Sequence, residues 1–229
     1  MARARAATDQ LGLFGAPPPR DAPIGAVEAW LLETGRLPAV GLDEAGRGPL
    51  AGPVVAAAVV LPDGKLPAAL VDLDDSKALS AVARERLARA IREAALATAV
   101  VAVPPAEIDR INILEATRQA MRRALAIAAR RLGRPTALLL VDGHLPLPAY
   151  LGDQLPLVKG DGRSWHIAAA SIIAKVVRDR LMVIAERDHP GYGFAVHKGY
   201  GTRAHRAALA RLGPCPLHRR SFRWSPPND

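Results

Sequence analysis

Residues 39–61 read AVGLDEAGRGPLAGPVVAAAVVL, and no other stretch restricts the fold of this chain so strongly. Two apolar runs flank a turn that opens with adjacent carboxylates, Asp43 and Glu44, and continues through Gly46-Arg47-Gly48. Both runs are short, rich in valine and bounded by glycine or proline, so they are expected as strands at about 39–44 and 53–61, paired as a hairpin. The run AGPVVAAAVVL spans only eleven residues, which suits a buried strand and falls short of the roughly 18 that a membrane helix needs. Successive side chains of a strand point to opposite faces, so Asp43 and Glu44 can serve one site only where the strand ends and the chain turns. Neighbouring carboxylates repel unless a cation or proton intervenes. Gly46 and Gly48 are expected to permit the turn and to leave backbone N–H groups open to a sugar or phosphate.

The rest of the pattern surrounds these strands with helices. Residues 1–24 contain GAPPPRDAP, which propagates neither helix nor strand, and are expected as a disordered tail ahead of one domain over 25–229. The spacing predicts helices over 26–36, over 81–96 with Ser80 as N-cap, over 106–132 with a break near Asn112, over 166–187 and over 203–212. Strands are expected at 98–103 and 137–142, with a short extended segment at 155–158. Paired strands followed by strand–helix alternation make an α/β fold, a mixed sheet flanked by helices with a small helical region at the C-terminus. The stretch LHRRSFRW near that end suits either a nucleic-acid-facing segment or a solvated terminus.

Charge and composition narrow the chemistry. With 31 Lys and Arg against 22 Asp and Glu, the net charge of +9 favours a polyanionic partner. The single cysteine, Cys215, excludes an internal disulfide and a Cys-rich zinc site, which fits the cytoplasm. No secretory signal or membrane span is expected, and nothing points to an obligate dimer. Against that basic balance, further carboxylates stand at exposed turns: Asp142 ends the apolar strand ALLLVD, and Asp161 sits in VKGDGRS. Singly, each suits ordinary turn chemistry. Together with Asp43 and Glu44 they suit a Mg²⁺ or Mn²⁺ site, because hard cations take oxygen ligands and are completed by substrate phosphates. Two such ions would support in-line hydrolysis of a phosphodiester. In HKGYGT, Tyr200 suits either a half-buried core position or stacking on a base or sugar, and in DDSKALS, Ser76 and Lys77 suit either a loop or a phosphate grip.

At this point the chain resembles the type 2 ribonuclease H (ribonuclease HII) family. The resemblance rests on DEAGRGPLAGPV (43–54), DDSKALS (74–80), INILEAT (111–117), VDGH (141–144), VKGD (158–161), AAASIIAKVVRD (168–179), HKGYGT (197–202) and HRRSF (218–222), in that order. It implies a ribonuclease H-like sheet and an endonuclease that cuts RNA in RNA/DNA hybrids and at ribonucleotides embedded in duplex DNA, leaving 3′-hydroxyl and 5′-phosphate ends. It implies Asp43, Glu44 and Asp142 as metal-holding catalytic residues with Asp161 as the fourth. Asp179 is a rival, set between Arg178 and Arg180 within a helix. By the same resemblance, Gly46, Arg47 and Gly48 contact the ribose 2′-hydroxyl, the group that distinguishes RNA from DNA, and Tyr200 packs on the adjoining sugar. Type 3 relatives carry an extra folded N-terminal domain, whereas about 36 residues precede the first strand here, which favours type 2. A catalytically silent hybrid-binding module is the alternative. Separately, Gln10-Leu11-Gly12-Leu13-Phe14 resembles the peptide by which bacterial replication and repair proteins dock on the sliding clamp, with Gln10, Leu11, Leu13 and Phe14 as anchors.

Overall fold

The computed structural model describes residues 15–73 and 79–227. Strands β1 (Ala39–Ala45) and β2 (Val54–Val60) pair antiparallel, with Gly41 opposite Val59 and Ala45 opposite Val55. On the far side of β2, β3 (Ala97–Val103) adds a second antiparallel pair. β4 (Leu138–Asp142) and β5 (Gln154–Leu157) extend the other edge in parallel, giving the order β3-β2-β1-β4-β5. The expected mixed sheet is therefore present.

Period-two alternation decides what covers each face. Val54, Ala56, Ala58 and Val60 of β2, with Val40 and Leu42 of β1, pack under helix α4 (Ile113–Leu132) and the short α3 (Pro105–Ile111) before it. Val55, Ala57 and Val59 face the opposite way, toward α2 (Ala81–Ala94) and the long α5 (Trp165–Asp188). A first helix, α1 (Ala26–Glu33), closes the β4–β5 end with Val27, Trp30 and Leu31. Small residues allow close approach on the α5 side. A methyl at Gly41 would lie 2.3 Å from the His166 carbonyl carbon, so α5 rests directly on the strand that carries Asp43.

Local signals set the boundaries. Ser80 Oγ accepts the Ala83 N–H at 3.2 Å and starts α2. Asn112 stands at φ 68, splits α3 from α4, and caps α4 by accepting the Glu115 N–H at 3.1 Å. Helices α6 (Phe194–His197) and α7 (Arg203–Leu212) form the small C-terminal region.

Both chain ends differ from expectation. Within the segment 1–24, the described part is tied down: Arg163 Nη2 donates to the Pro18 and Pro19 carbonyls at 2.8 and 3.2 Å, and Ile24 packs against the α5-side core. The HRRSF stretch is only partly solvated, with Arg220 and Ser221 exposed and His218 and Arg219 turned inward. His218 bridges Ala51 in antiparallel fashion, Arg219 is buried, and Ser221 bonds Asp109 through its N–H (2.9 Å) and hydroxyl (2.6 Å). No helix of the described residues is long and apolar enough to cross a membrane.

Candidate active site

The parallel pairing of β1 and β4 builds the acidic centre. Gly41 lies beside Leu140 and Leu42 beside Val141, so one more step along both strands brings Asp43 and Asp142 together on one face at the strands' C-terminal ends. Asp43 is buried, and its carboxyl is pushed well above the usual carboxylate range by desolvation first, then by the charges of Glu44 and Asp142. A hydrogen bond from Ser171 and the Glu44 N–H, 2.7 Å from Oδ1, act in the opposite direction. Glu44 and Asp142 share with Asp43 a cleft of about 480 Å³, whose remaining wall includes Gly46–Gly48, Arg84, Lys175 and Tyr200.

Three of the four expected acids thus line one cleft, and Asp161 is not among the residues that line it. Asp142 Oδ1 accepts the Gly160 N–H at 2.8 Å, which fixes the turn carrying Asp161 behind Asp142. Asp161 itself is buried, accepts the Gly162 N–H at 3.1 Å, and does not line the cleft. Asp179 is 2.8 Å from Lys175 Nζ and lines the adjoining groove. Its hydrogen-bonded partner is therefore Lys175, while Arg178 acts on it through charge. Among the described residues no three His, Cys, Asp or Glu side chains close a metal cage. The carboxylates form an open, one-sided oxygen set, the kind that Mg²⁺ or Mn²⁺ completes with water and phosphate. They fit such an ion, since desolvation first, and the charges of Glu44 and Asp142 second, raise the proton affinity of Asp43, and a cation at the three acids would offset both.

The turn after the acids is held by residues that sequence reasoning missed. Arg219 Nη2 donates to the Gly46 carbonyl at 2.6 Å and to that of Gly52 at 2.9 Å, while Nη1 reaches Arg47 at 2.8 Å and Nε reaches Gly52 at 3.0 Å. Arg178, 1% exposed within α5, donates to Pro53 (3.0 Å), Ala51 (3.2 Å) and Lys198 (3.0 Å). An arginine that follows the apolar pair Val176-Val177 in AAASIIAKVVRD was the available signal, because a buried guanidinium must find several acceptors. Gly46, at φ 93, is required here: a methyl would stand 1.9 Å from Arg178 Nε. Gly48 is different. It has no positive φ and a methyl there would meet nothing within 4 Å, so packing does not demand glycine and the space above it is open.

Arg47 Nη1 lies 3.4 Å from Glu44 Oε1. Tyr200 is 45% exposed at the cleft, with the Arg178 guanidinium 5.8 Å from its ring centroid, so it is not a core tyrosine. Ser76, Lys77 and the clamp-like residues Gln10, Leu11, Leu13 and Phe14 lie outside the described residues.

A mixed sheet with acids at the ends of two adjacent parallel strands, opening into a cleft with basic walls, defines an enzyme of the ribonuclease H class. The family model described as Ribonuclease HII matches residues 40–225, and the chain belongs to that family. A ribonuclease HII of Syntrophotalea carbinolica is 58% identical over 184 residues, covering 80% of this chain and 84% of the relative. Among solved structures, the RNase HII of Archaeoglobus fulgidus in complex with PCNA superimposes with a TM-score of 0.66 at 28% identity, covering 84% of this chain and 98% of that one. Bst RNase HIII in complex with Mn²⁺ shares the fold with a TM-score of 0.69 at 24% identity, covering 91% and 73%. The chain is an endonuclease of the type 2 ribonuclease H kind.

Proposed function

We propose that the cleft hydrolyses the RNA strand of RNA/DNA hybrids and incises on the 5′ side of ribonucleotides embedded in duplex DNA, leaving 3′-hydroxyl and 5′-phosphate ends. One observation carries this reading: Asp43, Glu44 and Asp142 share a single cleft with the open backbone at Gly48. Asp43, Glu44 and Asp142 would hold divalent Mg²⁺ or Mn²⁺, with Asp161 behind them as the fourth carboxylate. When bound, two such ions supply activation of the attacking water and neutralise charge developing at the scissile phosphate. The protein's own part is to align and select the substrate. Gly46, Arg47 and Gly48 bring main chain to the ribose 2′-hydroxyl, Tyr200 packs on the adjoining sugar, and Ser76 and Lys77 grip a phosphate. Arg84 and Lys175, on the cleft wall, attract the backbone without reading bases.

The test is a labelled DNA duplex with one ribonucleotide, incubated with Mg²⁺, Mn²⁺ or chelator beside its all-deoxy counterpart. Cleavage is expected only with metal and only at the ribonucleotide. Cutting of the all-DNA duplex, or cutting in chelator, would overturn the reading, and binding without cutting would favour the silent hybrid-binding module. We also propose that Gln10, Leu11, Leu13 and Phe14 dock on a sliding clamp, a reading supported by the PCNA complex of the Archaeoglobus relative. Titration with bacterial clamp should show weaker binding for a Leu13→Ala/Phe14→Ala variant, and equal binding removes the idea.

A further inference from the structure

Three histidines with no part in that chemistry meet beneath the segment that carries Tyr200. His205 of α7 and His218 are buried, and the His197 ring stacks on that of His205 with centroids 4.4 Å apart. Hydrogen-bond geometry assigns the proton on every ring. The Tyr200 carbonyl only accepts, so His205 Nδ1, 2.9 Å away, carries a hydrogen. Neutral His205 then presents Nε2 as an acceptor, and His218 Nε2, 3.1 Å away, donates to it. His218 Nδ1 is left to accept the Cys215 N–H at 3.0 Å, with the Cys215 carbonyl farther off at 3.3 Å. His197 closes in the same way, donating from Nε2 to the Tyr192 carbonyl (2.7 Å) and accepting the Gly199 N–H at Nδ1 (3.2 Å). Burial supports the neutral forms: desolvation lowers both His205 and His218, the latter to about 4.

This relay spans the two elements assigned to sugar reading. The His218 backbone bridges Ala51 in the loop that follows Gly46–Gly48, its ring reaches His205, and His205 holds the Tyr200 carbonyl. Leu50 and Ala51 N–H groups also donate to the Gly199 carbonyl, at 2.9 and 3.3 Å. We propose that His205 is the positioning residue that fixes Tyr200 relative to the Gly46–Gly48 loop, with His218 setting the tautomer of its ring, so that the His205–Tyr200 hydrogen bond sets how sharply the cleft separates ribose from deoxyribose. The inference rests on the proposed sugar-reading role of Tyr200 and that loop.

Two isosteres test it in the full chain. Asparagine places an amide nitrogen near the position of Nδ1 and glutamine near that of Nε2, so His205→Asn keeps the bond to Tyr200 and His205→Gln loses it. The readout is the ratio of affinities for a duplex with one ribonucleotide and its all-deoxy counterpart, measured in chelator so that nothing is cut. His205→Asn should leave the ratio within about twofold of the parent, and His205→Gln should lower it by about tenfold, the worth of one buried hydrogen bond. In a Tyr200→Ala background, His205→Gln should add nothing further. Equal ratios for the two isosteres, or effects that add to that of Tyr200→Ala, overturn the relay. If Tyr200→Ala alone leaves the ratio unchanged, it is the sugar-reading role that fails, and the inference falls with it. Nitrogen-15 NMR of the parent histidines tests the relay without any variant: Nδ1–H on His205 and Nε2–H on His218 are expected, and the opposite tautomers overturn it.

Discussion

The acids and the Gly46–Gly48 loop share one cleft but are held by opposite means. Asp43 and Asp142 ride on adjacent parallel strands, where the backbone ladder sets their spacing before any side chain contributes. The 46–53 loop instead depends on two buried arginines distant in sequence, Arg178 and Arg219, and on its bridge to His218. The difference teaches that placement of the acids follows from the sheet, whereas placement of the loop proposed to read the sugar follows from tertiary contacts that single substitutions can remove.

The strongest way to separate the two regions is at the acids. Asp43→Asn should lower cleavage by roughly 10³-fold, as expected for loss of a metal-holding carboxylate, yet spare hybrid binding. It should not lower stability. A carboxyl whose folded pKa is raised contributes stability fully below its unfolded pKa of about 3.9 and loses it as pH rises through the folded value, so the amide should melt at or above the parent temperature at neutral pH without divalent ions. Cleavage at the parent rate would exclude Asp43 from the site.

The converse break is at the loop. Arg219→Met should cost about 4 kcal/mol by denaturant unfolding, since it strands the carbonyls of Gly46, Arg47 and Gly52 away from water. Burial first, and Arg178 second, push the Arg219 pKa down to about 9, which still leaves it protonated at neutral pH. Arg219→Lys should recover only part of the loss, because an ammonium lacks the planar fork. Parent-like stability in Arg219→Met would mean that Arg178 and the His218 bridge hold the loop without Arg219.

A third effect tests the relay end of the loop by pH. The His218 pKa falls to about 4, through burial first and the neighbouring His205 second, so the unfolded chain binds this proton more readily than the folded one. Its stabilisation is complete above the unfolded value of about 6.5 and declines as pH falls toward 4, by roughly 3 kcal/mol in all. Melting curves across that window should be steeper for the parent than for His218→Gln, and parallel curves would remove His218 from the account.

The smallest expected effect sharpens the comparison within one turn. Gly46→Ala should cost about 2 kcal/mol through positive φ and collision with Arg178. Gly48→Ala should change stability by less than about 0.5 kcal/mol while raising KM for a ribonucleotide duplex on the order of tenfold. Equal stability losses at the two positions would make both glycines structural.

Much of the fold was legible because it rests on local periodicity. Valine and alanine runs marked β1 and β2, Ser80 and Asn112 marked helix starts, and the acids at 43, 44 and 142 stood at apolar strand ends. What escaped was non-local. Arg178 read as a neighbour of Asp179 in an ion pair, yet it turns inward to three carbonyls, and Asp179 takes Lys175. HRRSF read as a surface segment, yet Arg219 lies at 2% exposure under the glycine turn. Gly48 looked equivalent to Gly46 because sequence carries no dihedral angle.

By itself, then, the sequence determined the elements and the donor chemistry: alternation selects strand faces, and clustered carboxylates in a basic chain call for a hard cation and a polyanion. Only the tertiary structure decided that Asp161 is buried and does not line the cleft, that two guanidiniums hold the turn, and that the His205 imidazole holds the Tyr200 carbonyl. The physical reason is one of range. Side-chain periodicity is set within a few residues, whereas a buried charge or an imidazole tautomer is set by whichever distant acceptor the fold brings within hydrogen-bonding reach.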